Sequence, residues 1–147
     1  MGLYHSEDGK NYRYGIWKIV EEEKELQELS GCQAPSNIIN NARRVEYLAV
    51  RSLAMTMGVN PNDILYLISG KPYLTNGEYN ISISHTKGYV AVLLSSNNMS
   101  AIDIEARSDR ILKIRKKFMA PEEEKGLATS GSDEVTGLLL HWCAKEA

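Results

Sequence analysis

No run of this 147-residue chain is apolar for long enough to cross a membrane, which excludes an integral membrane helix. The first residues, Met1 to Glu7, lack the basic and then apolar pattern of a secretory signal. There are two cysteines, Cys32 and Cys143, too far apart for a metal-binding spacing and too few for a disulfide framework. Charge of one sign is missing as well. Seventeen basic and 19 acidic residues leave a formal charge of −2, so no overall pull toward nucleic acid or membrane is present. No linker long enough for independent domains and no solenoid-type repeat occurs. What remains is 43% apolar and 24% charged, the balance of a globular protein large enough for a real core. These features predict a soluble, cytoplasmic protein.

Taken in order, Tyr12 to Val20 reads as a strand rich in aromatic and branched residues, and Glu21 to Leu29 as a short charged helix stopped by Ser30-Gly31. Pro35-Ser36 opens the strongest helix. From Asn37 to Met57 apolar residues recur with a period near 3.6, at Ile38, Ala42, Val45, Leu48, Ala49, Leu53 and Met57, and Gly58 supplies the stop. Ile64 to Ser69 predicts a strand broken by Gly70-Lys71-Pro72, and Asn76-Gly77 a tight turn. Tyr79–Ser84 and Tyr89–Ser95 predict a hairpin joined by His85-Thr86-Lys87-Gly88, with a turn at Asn97-Asn98. Helices are expected from Asp109 to about Phe118, from Pro121, and from about Asp133 onward. The order of elements is that of an α+β fold, with an N-terminal half over 1–97 and a C-terminal half over 98–147.

The chemistry concentrates in a few places. Ala101-Ile102-Asp103-Ile104-Glu105 alternates as a strand does, so Asp103 and Glu105 are expected on one face. Two carboxylates side by side repel unless something positive lies between them, and oxygen ligands suit a hard cation such as magnesium; a solvated acidic edge is the plainer alternative. Arg43 and Arg44 on the long helix are either solvated or an anion site, because guanidinium groups grip phosphate as a fork. Lys71 sits in a glycine-proline break that permits close approach to the backbone. Ser84-His85 lies where a strand enters a tight link, outside regular pairing, so that His85 can point into a cleft. On the last helix Trp142 and Glu146 share a face, with Lys145 alongside.

Read together, Gly70-Lys71-Pro72, Asn80 to His85, Ala101 to Glu105, Phe118-Met119-Ala120-Pro121-Glu122-Glu123 and Trp142 to Ala147 resemble, in their order and spacing, the 4′-phosphopantetheinyl transferase superfamily. The likeness covers roughly residues 37 to 147 and is to the larger, surfactin-synthetase-type branch. It implies a monomer with a pseudo-twofold fold, an antiparallel sheet packed on a long helix in each half. It also implies transfer of the phosphopantetheine arm of coenzyme A to a serine of an acyl- or peptidyl-carrier protein, releasing adenosine 3′,5′-bisphosphate. In that frame Asp103, Glu105 and Glu146 hold magnesium, Glu146 is the base for the serine hydroxyl, and Lys145 adds positive charge near the pyrophosphate. Lys71, Ser84 and His85 match positions at the nucleotide end of coenzyme A, with Arg43 or Arg44 as a further phosphate contact. The basic helix carrying Arg110, Lys113, Arg115, Lys116 and Lys117 is the expected docking surface for an acidic carrier protein, with a merely solvated helix as the plainer alternative.

Two features depart from the family pattern. Ala101 stands where glycine usually precedes the Ile-Asp-Ile-Glu run, and the sequence stops at Ala147, before a lysine expected four residues after Glu146. The second half is therefore expected to be incomplete, as in a fragment of a longer protein. The alternative expectation is a catalytically dead form that only binds coenzyme A or a carrier protein.

Overall fold

The structure is a computed structural model that describes residues 1–97 and 100–147. It is an α+β chain forming two compact units, Met1–Ile102 and Asp103–Ala147. The turn expected at Asn97-Asn98 falls partly on Asn98, outside the described residues.

The first unit is built on a four-stranded antiparallel sheet of β1 (Leu3–Asp8), β2 (Tyr12–Lys18), β5 (Asn80–Thr86) and β6 (Tyr89–Ser95), in the order β1-β2-β6-β5. Strand β6, which has a partner on both edges, is buried from Val90 to Ser95. Val90, Val92 and Leu94 have no exposed surface and share one face with Ile81 and Ile83 of β5. Against that face packs the long helix α2 (Asn41–Thr56), through Leu48, Ala49 and Leu53. Burying each of the two leucines contributes on the order of 1.5–3 kcal/mol, and the alanine methyl less. The contact is close at Gly15, where a Cβ would stand 2.7 Å from Leu53 Cδ1.

Helix α2 starts later than the periodicity suggests. Asn40 accepts the backbone N–H of Arg43 (3.1 Å), so the helix begins at Asn41 and Ile39 is left 91% exposed before it. Helix α1 (Glu23–Ser30) ends at Gly31, with φ of 66°. A second small sheet pairs β3 (Ile64–Tyr66) with β4 (Pro72–Leu74). The strand expected over Ile64–Ser69 stops at Tyr66 because Leu67 N–H turns back to donate to the Lys71 carbonyl (2.9 Å).

Two side chains show how this unit is tied together. Trp17 is fully buried and donates its indole N–H to Glu21 (3.1 Å), whose carboxylate also takes Val20 N–H (3.2 Å) and lies 3.5 Å from the N-terminal ammonium. Arg51, 4% exposed, lies 3.4 Å above the centre of the Tyr47 ring. It donates to the Ile64 carbonyl (3.2 Å) and to the Tyr47 carbonyl (3.4 Å), fastening β3 to α2.

Two expectations are corrected here. Ala101–Glu105 is not a strand: residues 100–108 pair with no sheet, and Ile102 N–H is taken by the Ser82 hydroxyl (3.1 Å) instead of a strand carbonyl. His85 lies inside regular pairing, opposite Val90, because Gly88, with φ of 78°, closes the turn after Lys87 and lets β5 run through Thr86.

In the second unit α3 (Arg110–Ile114) passes into a 3-10 turn at Arg115–Lys117, followed by α4 (Pro121–Thr129) and α5 (Glu134–Glu146). Ile111, Leu127, Val135 and Leu138 form its core, joined by Phe118 and Trp142 in an edge-on pair 5.2 Å apart. Asp133 caps α5 by accepting Thr136 N–H (2.9 Å). Among the described residues, no helix is long and apolar enough to cross a membrane.

Candidate functional site

The first unit carries a cavity of about 450 Å³ whose walls follow from two periodicities. On α2, Arg43, Glu46, Tyr47 and Val50 recur every three to four residues and so share a stripe. On β5, Ile83 and His85 are two apart and face the same way. Tyr66 at the end of β3 and Gly70 and Pro72 around Lys71 close the opposite side.

Three polar groups meet there. Arg43 Nη1 donates to His85 Nε2 (3.0 Å) and lies 3.4 Å from the Glu46 carboxylate, which is 3.7 Å from His85 Nδ1. A guanidinium can only donate, so Nε2 is the acceptor and the ring hydrogen sits on Nδ1, on the Glu46 side. Arg43 stands in the first turn of α2, where the helix dipole disfavours a cation and favours an anion. Dipole and guanidinium together make this end of the cavity a place for a negative group.

The other residues singled out from the sequence divide clearly. Arg44 is committed elsewhere. Its guanidinium forks onto Glu23 (3.0 Å from Nε to each carboxylate oxygen) and donates to the Pro35 and Ile38 carbonyls (3.3 and 3.2 Å), joining α1 to α2. The Glu23 hydrogen bonds raise the Arg44 pKa, and the guanidinium in turn lowers that of Glu23. Lys71 is exposed on the turn between the cavity-lining Gly70 and Pro72. Ser84 is next to His85 in a strand and so lies on the other face of the sheet, opposite Ala91.

In the second unit Asp103 and Glu105 both lie near Cys143 of α5. Burial, a hydrogen bond to Asp103 and the charges of Asp103 and Glu105 push that thiol up to about 12. Lys145 donates to Glu123 (2.8 Å) and to the Phe118 carbonyl, bracing α5 against α4; Glu146 is exposed on the last turn. Among the described residues, no group of three or more His, Cys, Asp or Glu side chains is gathered as a metal site. Asp103 and Glu105 are nevertheless the kind of donor set magnesium uses, since it is held by one or two carboxylates together with substrate phosphates. A second cavity of about 450 Å³ opens beside Glu105, Arg110 and Trp142. Arg110, Lys113, Lys116 and Lys117 are exposed, whereas Arg115 is turned inward onto Glu124 and Glu134.

No protein-family model matches the chain. It is similar to a Haemophilus influenzae protein described as "Putative 4'-phosphopantetheinyl transferase", with 31% identity over 83 residues, 54% of this chain and 35% of that relative. The chain thus matches about a third of the length of this curated relative. The likeness agrees in class with the motifs.

Glu46 and Tyr47 carry no signal of a site in the sequence. A glutamate three residues after an arginine reads as a solvated helix pair, and the contact that makes it part of a site comes from His85, 39 positions away in the chain.

Proposed function

We propose that this chain belongs to the surfactin-synthetase-type branch of the 4′-phosphopantetheinyl transferases, a monomer of pseudo-twofold design. It binds coenzyme A with magnesium and passes the phosphopantetheine arm to a serine of an acyl- or peptidyl-carrier protein. The observation that carries the reading is the cavity joining Arg43, His85 and the Gly70-Lys71-Pro72 turn, which meets the ordered motifs at the end expected to hold the nucleotide phosphate.

In this reading Arg43, His85 and Lys71 hold the 3′-phosphate end, with the apolar walls at Val50, Tyr66 and Ile83 against the base and ribose. Asp103 and Glu105 are the residues that would hold magnesium together with the pyrophosphate oxygens, whose charge the ion offsets when bound, with Glu146 as the third carboxylate that the resemblance implies. The serine hydroxyl attacks the phosphorus next to pantetheine, a new P–O bond forms, and the P–O bond to adenosine 3′,5′-bisphosphate breaks. Glu146 takes the hydroxyl proton. Arg110, Lys113, Lys116 and Lys117 meet the acidic carrier.

A second reading, binding without transfer, is favoured by the Lys145–Glu123 ion pair, which occupies the lysine expected at the pyrophosphate. Incubating the protein with apo-carrier protein, coenzyme A and magnesium separates the two. A gain of the phosphopantetheine mass on the carrier, lost in Asp103→Ala, supports transfer; coenzyme A binding with an unchanged carrier supports the second reading.

A further inference from the structure

The arrangement of Glu46 gives it a task that the proposed reading does not assign. As the cavity stands, Nε2 of the His85 ring accepts from Arg43 (3.0 Å), and Nδ1, which carries the ring hydrogen in that arrangement, faces the Glu46 carboxylate (3.7 Å). The groups lining the cavity around the ring are Arg43, Glu46 and Tyr47 from α2 and Tyr66 from β3, with Lys71 on the exposed turn, while Val90 opposite on β6 is apolar. A phosphate monoester entering beside Arg43 takes the guanidinium N–H and releases Nε2 from its acceptor role. The ring then has an anion on each side, Glu46 at Nδ1 and the phosphate at Nε2. A ring between two anions is most stable as imidazolium, donating to both.

We propose that Glu46 is a positioning residue that makes His85 take up a proton when a phosphate monoester binds, so that binding is tighter at lower pH. This rests on the reading of the cavity as the nucleotide-phosphate site. The pairing also gives selectivity. An empty cavity carries Arg43 and Glu46 in near balance, so a singly charged or neutral ligand gains little, whereas a dianionic terminal phosphate recruits the extra positive charge.

Calorimetry in two buffers of different ionisation enthalpy counts the protons. With coenzyme A, close to one proton is expected to be taken up per molecule bound where free histidine is neutral, and affinity to fall about tenfold per pH unit there. Dephospho-coenzyme A, which lacks the 3′-phosphate, should bind without this uptake. Glu46→Gln should still bind coenzyme A but take up markedly fewer protons and lose most of the pH slope, and Glu46→Asp should restore part of both. A merely structural Glu46 would change affinity without changing the proton count. Coenzyme A binding to the unaltered protein with no uptake, or equal uptake by Glu46→Gln, overturns this inference alone. No binding of coenzyme A at all overturns the functional reading and this inference with it.

Discussion

Arg51 offers a test of what holds the cavity wall. Its guanidinium is buried, stacked on Tyr47 and bonded to the Ile64 carbonyl, so it secures the strand that ends at the cavity-lining Tyr66. Arg51→Met keeps the stem and removes the head. The charge-assisted bond and the stacking go, but a guanidinium no longer has to be stripped of water, and these effects largely offset each other. What is left is mainly the unpaired Ile64 carbonyl, for a net loss of about 1–2 kcal/mol. Arg51→Lys keeps the burden of a buried charge, yet an ammonium cannot lie flat on the ring while donating to both carbonyls, and the expected loss is about 3 kcal/mol. With a urea slope of roughly 2 kcal/mol/M, the midpoints should fall by about 0.5–1 M for the methionine and about 1.5 M for the lysine. Reading amide exchange in β2 and β6 through the titration restricts the measurement to the first unit. A lysine variant at least as stable as the methionine variant would refute the idea that guanidinium geometry makes the tie.

Two further outcomes are expected. Burial pushes the Glu21 carboxyl up, but the Trp17 indole, backbone N–H groups and the N-terminal ammonium outweigh it and hold the group below its usual range. A folded-state value that is depressed means stability present at neutral pH and lost as pH falls through the acid range, so the gap between the unaltered protein and Glu21→Gln in urea titrations should be widest near neutrality and close toward pH ~3. Arg43→Ala should weaken coenzyme A binding more than tenfold, as loss of a guanidinium–phosphate contact does, whereas Arg44→Lys should leave affinity within about twofold while lowering the melting temperature. Equal loss of affinity in both would mean that the wrong arginine has been placed in the cavity.

Strong periodic signals translated directly into structure. Strand β6 has the bounds its apolar run suggests, and α2 ends at its glycine stop because both elements lie at the centre of the core. Strand β1 has no signature in the sequence, since all six of its residues are exposed and carry no alternation; only its pairing with β2 makes it a strand. The acidic run after β6 alternates as a strand does, but alternation alone makes no ladder: Ile102 N–H goes to the Ser82 side chain on β5 and not to a backbone carbonyl, and the run joins no sheet. At the site, residue types were legible and geometry was not. The neighbouring Arg43 and Arg44 look equivalent in sequence, yet one helix step turns Arg43 toward His85 and Arg44 toward Glu23.

The state of the two sulfur atoms has a practical side. Cys32 is 7% exposed, and burial, the Asp103 hydrogen bond and the charges of Asp103 and Glu105 push the Cys143 thiol up to about 12 while no cation sits on those carboxylates. A maleimide dye added briefly at neutral pH, after a chelator has withdrawn magnesium, should therefore colour the thiol at the tip of coenzyme A, or of a carrier that has received it, and leave this protein almost unstained. Transfer can then be followed on a gel without first engineering a cysteine-free background.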